Sequence, residues 1–304
     1  MKNKNKNQNP LVSVIMPVYN AGNFLMKSIE SILNQTYQKF EFIIVDDAST
    51  DNSWEILKNF AKKDKRIRIY RMKENVGVSK TVKFAIEKSK GKFLARMDAD
   101  DIAHPKRLEK EINYLLKNEK TVAVGTQCWL IDEKGKKIGE KIFPTKFEEI
   151  YKYIFIFIPV QQPTLMINRK KLPKDFEYYY DGMNTAEEVE LIFKLFQYGK
   201  VENLKEKLHY YRIHKNNTSL KNPKKTFFLT LFSRIKAIFT YQYKPSLSGI
   251  LATILQTMVI FLLPSKIIIK IYSFLRKQEN KKIKINFKKN LKFISIKKLS
   301  LIFR

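Results

Sequence analysis

Three carboxylates stand within four residues at Asp98-Ala99-Asp100-Asp101. Like charges held that close repel one another unless a cation lies between them. A hard, all-oxygen set of high charge suits Mg2+ or Mn2+, ions that bridge the phosphates of a substrate. The same residues could equally form a solvated loop that caps the next helix. A second cluster, Asp46-Asp47-Ala48-Ser49-Thr50-Asp51, divides in two. Thr50 or Asp51 is placed to cap a helix, whereas Asp46 and Asp47 can accept hydrogen bonds from a ribose or a base edge. Asn75-Val76-Gly77 supplies a tight turn. Glu187 and Glu188 open a helical pattern, where acids favour the positive end of the helix whether or not they do chemistry.

The elements that would position these groups alternate. Leu11–Pro17, Phe40–Val45, Ile67–Tyr70 and Phe93–Met97 read as strands. Between them, Phe24, Ser28, Ile32 and Leu33 mark one helix face, Trp54, Leu57 and Ala61 a second, and Val78, Val82, Ala85 and Ile86 a third. Arg107–Leu116 reads as a helix and Val122–Ile131 as an apolar run in which Cys128 is a small core residue. Strand and helix in this order predict an α/β fold with a mostly parallel, Rossmann-like sheet flanked by helices. Ligands of such sheets bind beyond the carboxyl ends of the strands, which is where the acidic clusters fall. From there to about Asn184 the pattern loosens into loop. A helix over Glu187–Tyr198 and an extended Val201–Arg212 follow.

The ordered motifs resemble the inverting glycosyltransferases of family 2, with the GT-A fold. They are Val14-Ile15-Met16-Pro17-Val18-Tyr19-Asn20, Ile44-Val45-Asp46-Asp47-Ala48-Ser49-Thr50-Asp51, Asn75-Val76-Gly77, and Arg96-Met97-Asp98-Ala99-Asp100-Asp101-Ile102 with Pro105 and Arg107-Leu108. The likeness covers roughly Leu11 to Leu220. It implies a nucleotide-sugar donor, with Pro17, Tyr19, Asp46, Asp47, Asn75 and Gly77 around the nucleotide. It further implies Asp98 on the ribose or sugar, and Asp100 holding Mn2+ or Mg2+ on the diphosphate. Gln161-Gln162-Pro163-Thr164 resembles the loop facing the acceptor, with Gln162 where many relatives carry His. Ala186-Glu187-Glu188 corresponds to the family's acid pair, with Glu188 in the place of the usual Asp base. Tyr211-Arg212-Ile213-His214 resembles the motif closing the catalytic domain, which would bring His214 to the metal or diphosphate and Arg212 to the leaving-group charge.

Charge and hydropathy add the expected setting. The formal net charge is +30 over 304 residues. Such a field attracts nucleic acid, an anionic membrane or phosphorylated substrates. A nucleic-acid binder leaves the carboxylate clusters unexplained, so no nucleic-acid partner is expected. A metal-dependent nucleotidyltransferase would carry a Gly-rich, basic triphosphate loop after the first strand, where this chain has Pro17-Val18-Tyr19-Asn20. Leu247–Leu263 is almost wholly apolar and uncharged, shorter than the roughly 20 residues of a spanning helix. From Pro264 onward there are thirteen Lys or Arg against one acid, which points to an anionic lipid surface. The expected organisation is a basic tail at 1–10, a catalytic domain at 11–220, a helical, apolar, membrane-associating region at 221–280, and a basic tail at 281–304. A Pro264 bend with an interfacial helix at Ile267–Leu275 would lay this region on the membrane. No signal peptide is visible, so the expected place is the cytoplasmic face of a bacterial inner membrane, with a growing, lipid-linked glycan as acceptor.

Overall fold

The computed structural model describes residues 9–179, 186–214, 217, 222–264 and 267. Expectations for the residues up to 8, for 268–275 and for the tail at 281–304 lie outside them. The strands are β1 (Val12–Val18), β2 (Phe40–Asp46), β3 (Ile67–Arg71), β4 (Phe93–Arg96), β5 (Ile102–Ala103), β6 (Thr121–Ile131), β7 (Lys137–Lys141), β8 (Met166–Asn168) and β9 (Lys200–Arg212). The helices are α1 (Gly22–Leu33), α2 (Ser53–Lys63), α3 (Val78–Lys88), α4 (Arg107–Lys117), α5 (Phe147–Tyr153), α6 (Glu187–Phe196), α7 (Pro223–Thr240) and α8 (Leu247–Leu262).

One sheet runs β3-β2-β1-β4-β8-β6-β9-β5, with β7 on β6. The first four strands are parallel neighbours. β8 then pairs antiparallel with both β4 and β6. Side chains alternate across a strand, and here the alternation feeds two cores. Val12, Val14 and Met16 of β1 meet Leu25 and Ile29 of α1 and Ile112 of α4 on one face. Ile15 of β1 and Ile43 of β2 meet Val82 of α3 and Val189 and Phe193 of α6 on the other. Burial on both faces explains why these strands read as unbroken apolar runs.

Three details differ from the sequence reading. Residues 132–184 were expected as loop, but β7, α5, β8 and two 3-10 turns lie there, each too short to show a periodic pattern. Phe24 was expected in the core of α1; that face is instead Leu25, Ser28, Ile29 and Ile32, and Phe24 packs against His214. α7, which lies past the catalytic-domain end expected at 220, is joined to the core. It packs on α6, and Ala237 and Tyr243 belong to the second core, Tyr243 stacking on Phe155.

Candidate active site

The parallel strands end together, and their C-terminal loops carry the acidic motifs. Asp46, the last residue of β2, is fully buried and paired with Arg71 at 3.0 Å. Asp47 spends both oxygens on the turn before α3, accepting from the amides of Val76 and Gly77 at 2.9 Å each. That turn needs Gly77, whose φ is +86°. Asn75 lies beside the same loop, its amide 3.5 Å from the Asp47 carbonyl. Pro17 sits in β1, and Tyr19 beyond it is half exposed, at 51%. Asp51 accepts from the amide of Ser53 at the start of α2 and from Gly22 of α1, tying two helix entrances together. Asp46 and Asp47 therefore brace the loops at the strand ends, and Tyr19 and Asn75 are the exposed members of the set expected around the nucleotide.

The loop after β4 holds the carboxylate cluster. Oxygens of Asp98, Asp100 and Asp101 lie within 4.8 Å of one another, the one such group among the described residues. The three are not equivalent. Asp101 is 1% exposed and fully occupied by His209 Nε2 at 2.7 Å and the Arg212 amide at 2.8 Å. Asp98 pairs with Arg96 at 2.7 Å, and Asp100 lies 2.7 Å from His214 Nε2; both remain part-exposed. Burial raises the Asp98 carboxyl, with the charge of Asp100 adding to it and Arg96 opposing. Crowded, desolvated, oxygen-only and partly open, Asp98 and Asp100 fit a divalent cation with His214 beside them. Asp101 serves to hold their loop.

Arg212 was expected at the leaving-group charge. The structure instead buries it to 1% exposure. Its Nε donates to the Asp100 carbonyl at 2.6 Å, and NH1 donates to the carbonyls of Asp132 and Glu133. Two of its guanidinium nitrogens are thus committed to backbone, while NH2 is buried with no hydrogen-bond partner among the described residues, and Phe24 lies 4.7 Å from the group. Arg212 therefore positions the Asp100 segment.

Residues 13–176 match the family described as Glycosyl transferase family 2. The chain belongs to glycosyltransferase family 2. It is 36% identical over 216 residues to the O-antigen biosynthesis glycosyltransferase WbnJ of Escherichia coli, a match covering 68% of this chain and 82% of that protein. Its fold is similar to that of a Staphylococcus aureus TarS fragment solved with UDP-GlcNAc. That match has TM-score 0.61 and 17% identity, and covers 75% of this chain and 66% of the other. It is also similar to the mannosyltransferase PcManGT of Pyrobaculum calidifontis, solved with GDP-Man and Mn2+, with TM-score 0.54 and 14% identity over 90% and 84% of the two chains. These likenesses show the GT-A fold.

In this glycosyltransferase the acid pair stands at the N-terminus of α6, after Ala186 in the left-handed conformation at φ +60°. Glu187 is buried and Glu188 half-buried. Burial, with the charge of Glu188 adding, pushes the Glu187 carboxyl up to about 8; a side-chain hydrogen bond from Gln162 opposes. Burial also raises Glu188, with Lys141 and Arg96 lowering it and Asp98 raising it. The acid pair and the carboxylate cluster thus feel one another's charge. Gln162 bridges Glu187 and the Tyr179 hydroxyl, the latter at 3.3 Å. Gln161 accepts from Lys141 at 2.8 Å.

Sequence reasoning did not single out Arg96, Lys141 or Tyr179. Arg96 is buried and paired with Asp98, and its place two residues before Asp98 was the available signal. Lys141 and Tyr179 come from the stretch read as loop and carried no signal. Nor did the sequence link Asp101 to His209, a contact 108 residues apart along the chain.

Proposed function

We propose that this glycosyltransferase moves a sugar from a nucleotide-sugar, a UDP-hexose being the first donor to test, onto a growing cell-surface glycan with inversion at the anomeric carbon. The observation that carries the reading is the half-buried Glu188 in the first turn of α6, within the electrostatic reach of Asp98 and of the Arg96 that pairs with it at 2.7 Å. Glu187, with its carboxyl raised to about 8, holds its proton at neutral pH, and Glu188, raised by burial with Lys141 and Arg96 opposing, is the member of the pair we assign as base.

Glu188 takes the proton of an acceptor hydroxyl as that oxygen attacks the anomeric carbon from the face opposite the leaving group. The bond from that carbon to the phosphate oxygen breaks, and the nucleoside diphosphate leaves with the electron pair. Asp100 and Asp98 would hold a Mn2+ or Mg2+ ion, with His214 beside it; when bound, such an ion offsets charge on the departing diphosphate. Tyr19 borders the nucleotide side, and Gln161 and Gln162 the acceptor side. The acceptor proposed is a lipid-linked glycan at the cytoplasmic face of a bacterial inner membrane. The support is the apolar, basic C-terminal sequence and the likeness to an O-antigen enzyme.

A donor panel with product analysis tests this. The expected products are a nucleoside diphosphate and a glycoside of inverted anomeric configuration by NMR. Pyrophosphate release would replace sugar transfer by nucleotidyl transfer, and a retained anomer would remove Glu188 as the base.

A further inference from the structure

The last two described helices are built inside out. α7 buries Thr230, Ser233 and Arg234 together with Ala237, and turns Phe228, Phe232, Ile235 and Phe239 outward. α8 buries Gly249, Thr253 and Gln256 with Ile260, and turns Leu247, Leu251, Leu255, Met258 and Leu262 outward. In water a helix hides its apolar stripe and shows its polar one. Here Phe239 is 81% exposed, Leu262 80% and Leu247 73%.

The inverted orientation is fixed by specific bonds. The Thr253 hydroxyl donates to the Phe155 carbonyl at 2.8 Å, and the Gln256 amide to the Ile156 carbonyl at 2.7 Å. Arg234, 3% exposed, donates to Gln256 Oε1 at 2.9 Å and to the Ile154 carbonyl at 3.3 Å. Rotating either helix to hide its leucines and phenylalanines would strand these groups without partners, at a cost that burial of the apolar face must exceed. A contiguous apolar face of this kind marks an interaction surface.

Charge decides the occupant. Residues 222–264 contain five Lys or Arg and no acid, and thirteen more Lys or Arg follow against one Glu. Lys225 and Lys244 are exposed at the ends of α7 and beyond it. Two copies of a chain carrying +30 would repel across such a face. A bilayer with acidic headgroups offers hydrocarbon for the leucines and negative charge for the lysines. α8 has 16 residues, about 24 Å at 1.5 Å each against roughly 30 Å of hydrocarbon. No helix of the described residues is long and apolar enough to cross a membrane.

We infer that the outward face of α7 and α8 docks in the plane of an anionic membrane, sinking its apolar side chains to the acyl boundary without crossing it. The docking face is bolted to the acceptor side of the site: the carbonyls of Phe155 and Ile156 that grip α8 belong to the connection leading to Gln161 and Gln162. A lipid-linked acceptor held in the same membrane would thus approach from the side where acceptor contacts are expected. That consequence rests on the proposed acceptor; the docking itself does not.

The test is flotation of the full chain with phosphatidylcholine vesicles, with and without phosphatidylglycerol. The chain should float with the anionic vesicles and stay bound in high salt, because the apolar contacts are not screened. The variant Phe232→Gln/Leu251→Gln/Leu255→Gln/Leu262→Gln changes only exposed positions and should melt as the parent does. Its partition should fall at least about tenfold, since each large side chain contributes more than a kcal-scale transfer term. A fluorophore on Leu251→Cys, with Cys128 buried and unreactive, should be quenched by lipids brominated in their acyl chains. Unchanged flotation of the variant, or an unquenched probe on floated protein, overturns the inference in favour of attachment through other basic segments. A parent that sediments as a dimer and a variant that sediments as a monomer overturns it in favour of self-association. Sugar transfer to a water-soluble acceptor should be equal in parent and variant, so failure here leaves the proposed reaction standing.

Discussion

Asp101 and His209 meet at 2.7 Å between the carboxylate loop and β9, with side chains 1% and 0% exposed. Burial holds His209 well below its ordinary pKa, so the ring is neutral. Asp101 also accepts the Arg212 amide, and Ser28 of α1 donates to the carbonyls of Asp98 and Asp101. The loop presenting Asp98 and Asp100 is therefore pinned to α1 on one side and β9 on the other. Asp101→Ala should strip the Arg212 amide and His209 of a buried acceptor and cost about 1–3 kcal/mol in stability. Thermal melting checks the cost. Enzyme kinetics should show donor KM rising along with the fall in kcat. A variant that melts early yet keeps parental donor KM would confine Asp101 to the fold.

The cation assignment has a direct check. Asp100 is part-exposed and pairs with a histidine, and no backbone amide of the described residues fastens its carboxylate in the way that Asp101 is fastened. Asp100→Asn should abolish transfer while leaving the melting temperature near the parental value. EDTA should do the same to the parent, with recovery on adding Mn2+ or Mg2+. Full transfer in EDTA would leave the carboxylate cluster with a non-metal role.

The frame of the site was legible in the sequence because it rests on local signals. Each acidic motif directly follows an apolar strand, and parallel strands must end on one edge. Asp98 and Asp100 could be placed for that reason, and the first four strands and α1–α4 follow from periodicity, whereas the Glu187-Glu188 pair follows no strand and was reached only through the family resemblance. What was not legible depends on contacts distant in sequence. Arg212 reads as a free cation until β9 buries it beneath the Asp100 carbonyl. Phe24 reads as a core residue until the His214 ring lies over it. β8 is three residues long and turns the sheet antiparallel, and nothing in Met166–Asn168 alone announces a strand.

The acid pair should separate by kinetics and by pH. Glu188→Gln removes the proposed base and should lower kcat by at least about 100-fold, with donor affinity kept. Glu187→Gln resembles the protonated form this residue takes at neutral pH and should be milder. Both carboxyls are raised above the ordinary carboxylate range, so the acid limb of the kcat profile should lie above pH 4.5. Stability has a defined sign here. The folded protein holds the Glu187 proton more tightly than the unfolded chain does, so this contribution is complete below about pH 4.5 and is lost as pH rises towards about 8. Glu187→Gln should flatten that decline in denaturant melts across the same window. Collapse of donor affinity in Glu188→Gln, measured by calorimetry, would move that residue from the base role to the donor pocket.

Arg234 offers a test of how the C-terminal helices are joined to the catalytic core. Burial lowers its guanidinium to about 10, so it stays charged at neutral pH while almost wholly out of solvent. Its partners are neutral: the Ile154 carbonyl, Thr253 and Gln256. A buried cation held by dipoles stabilises little by itself, yet removing it takes a donor from each of those acceptors. Arg234→Met should therefore weaken the seat of α8 by about 1–3 kcal/mol. Hydrogen exchange should speed along α8 while the amides of β1 and β2, hydrogen-bonded in the middle of the sheet, stay protected. Pairing it with Gln256→Leu removes that amide oxygen as well and should recover part of the loss, though the Ile156 carbonyl then goes without its donor. A double variant that exchanges faster than Arg234→Met would show that the Gln256 bond to Ile156, and not the cation, seats the helix.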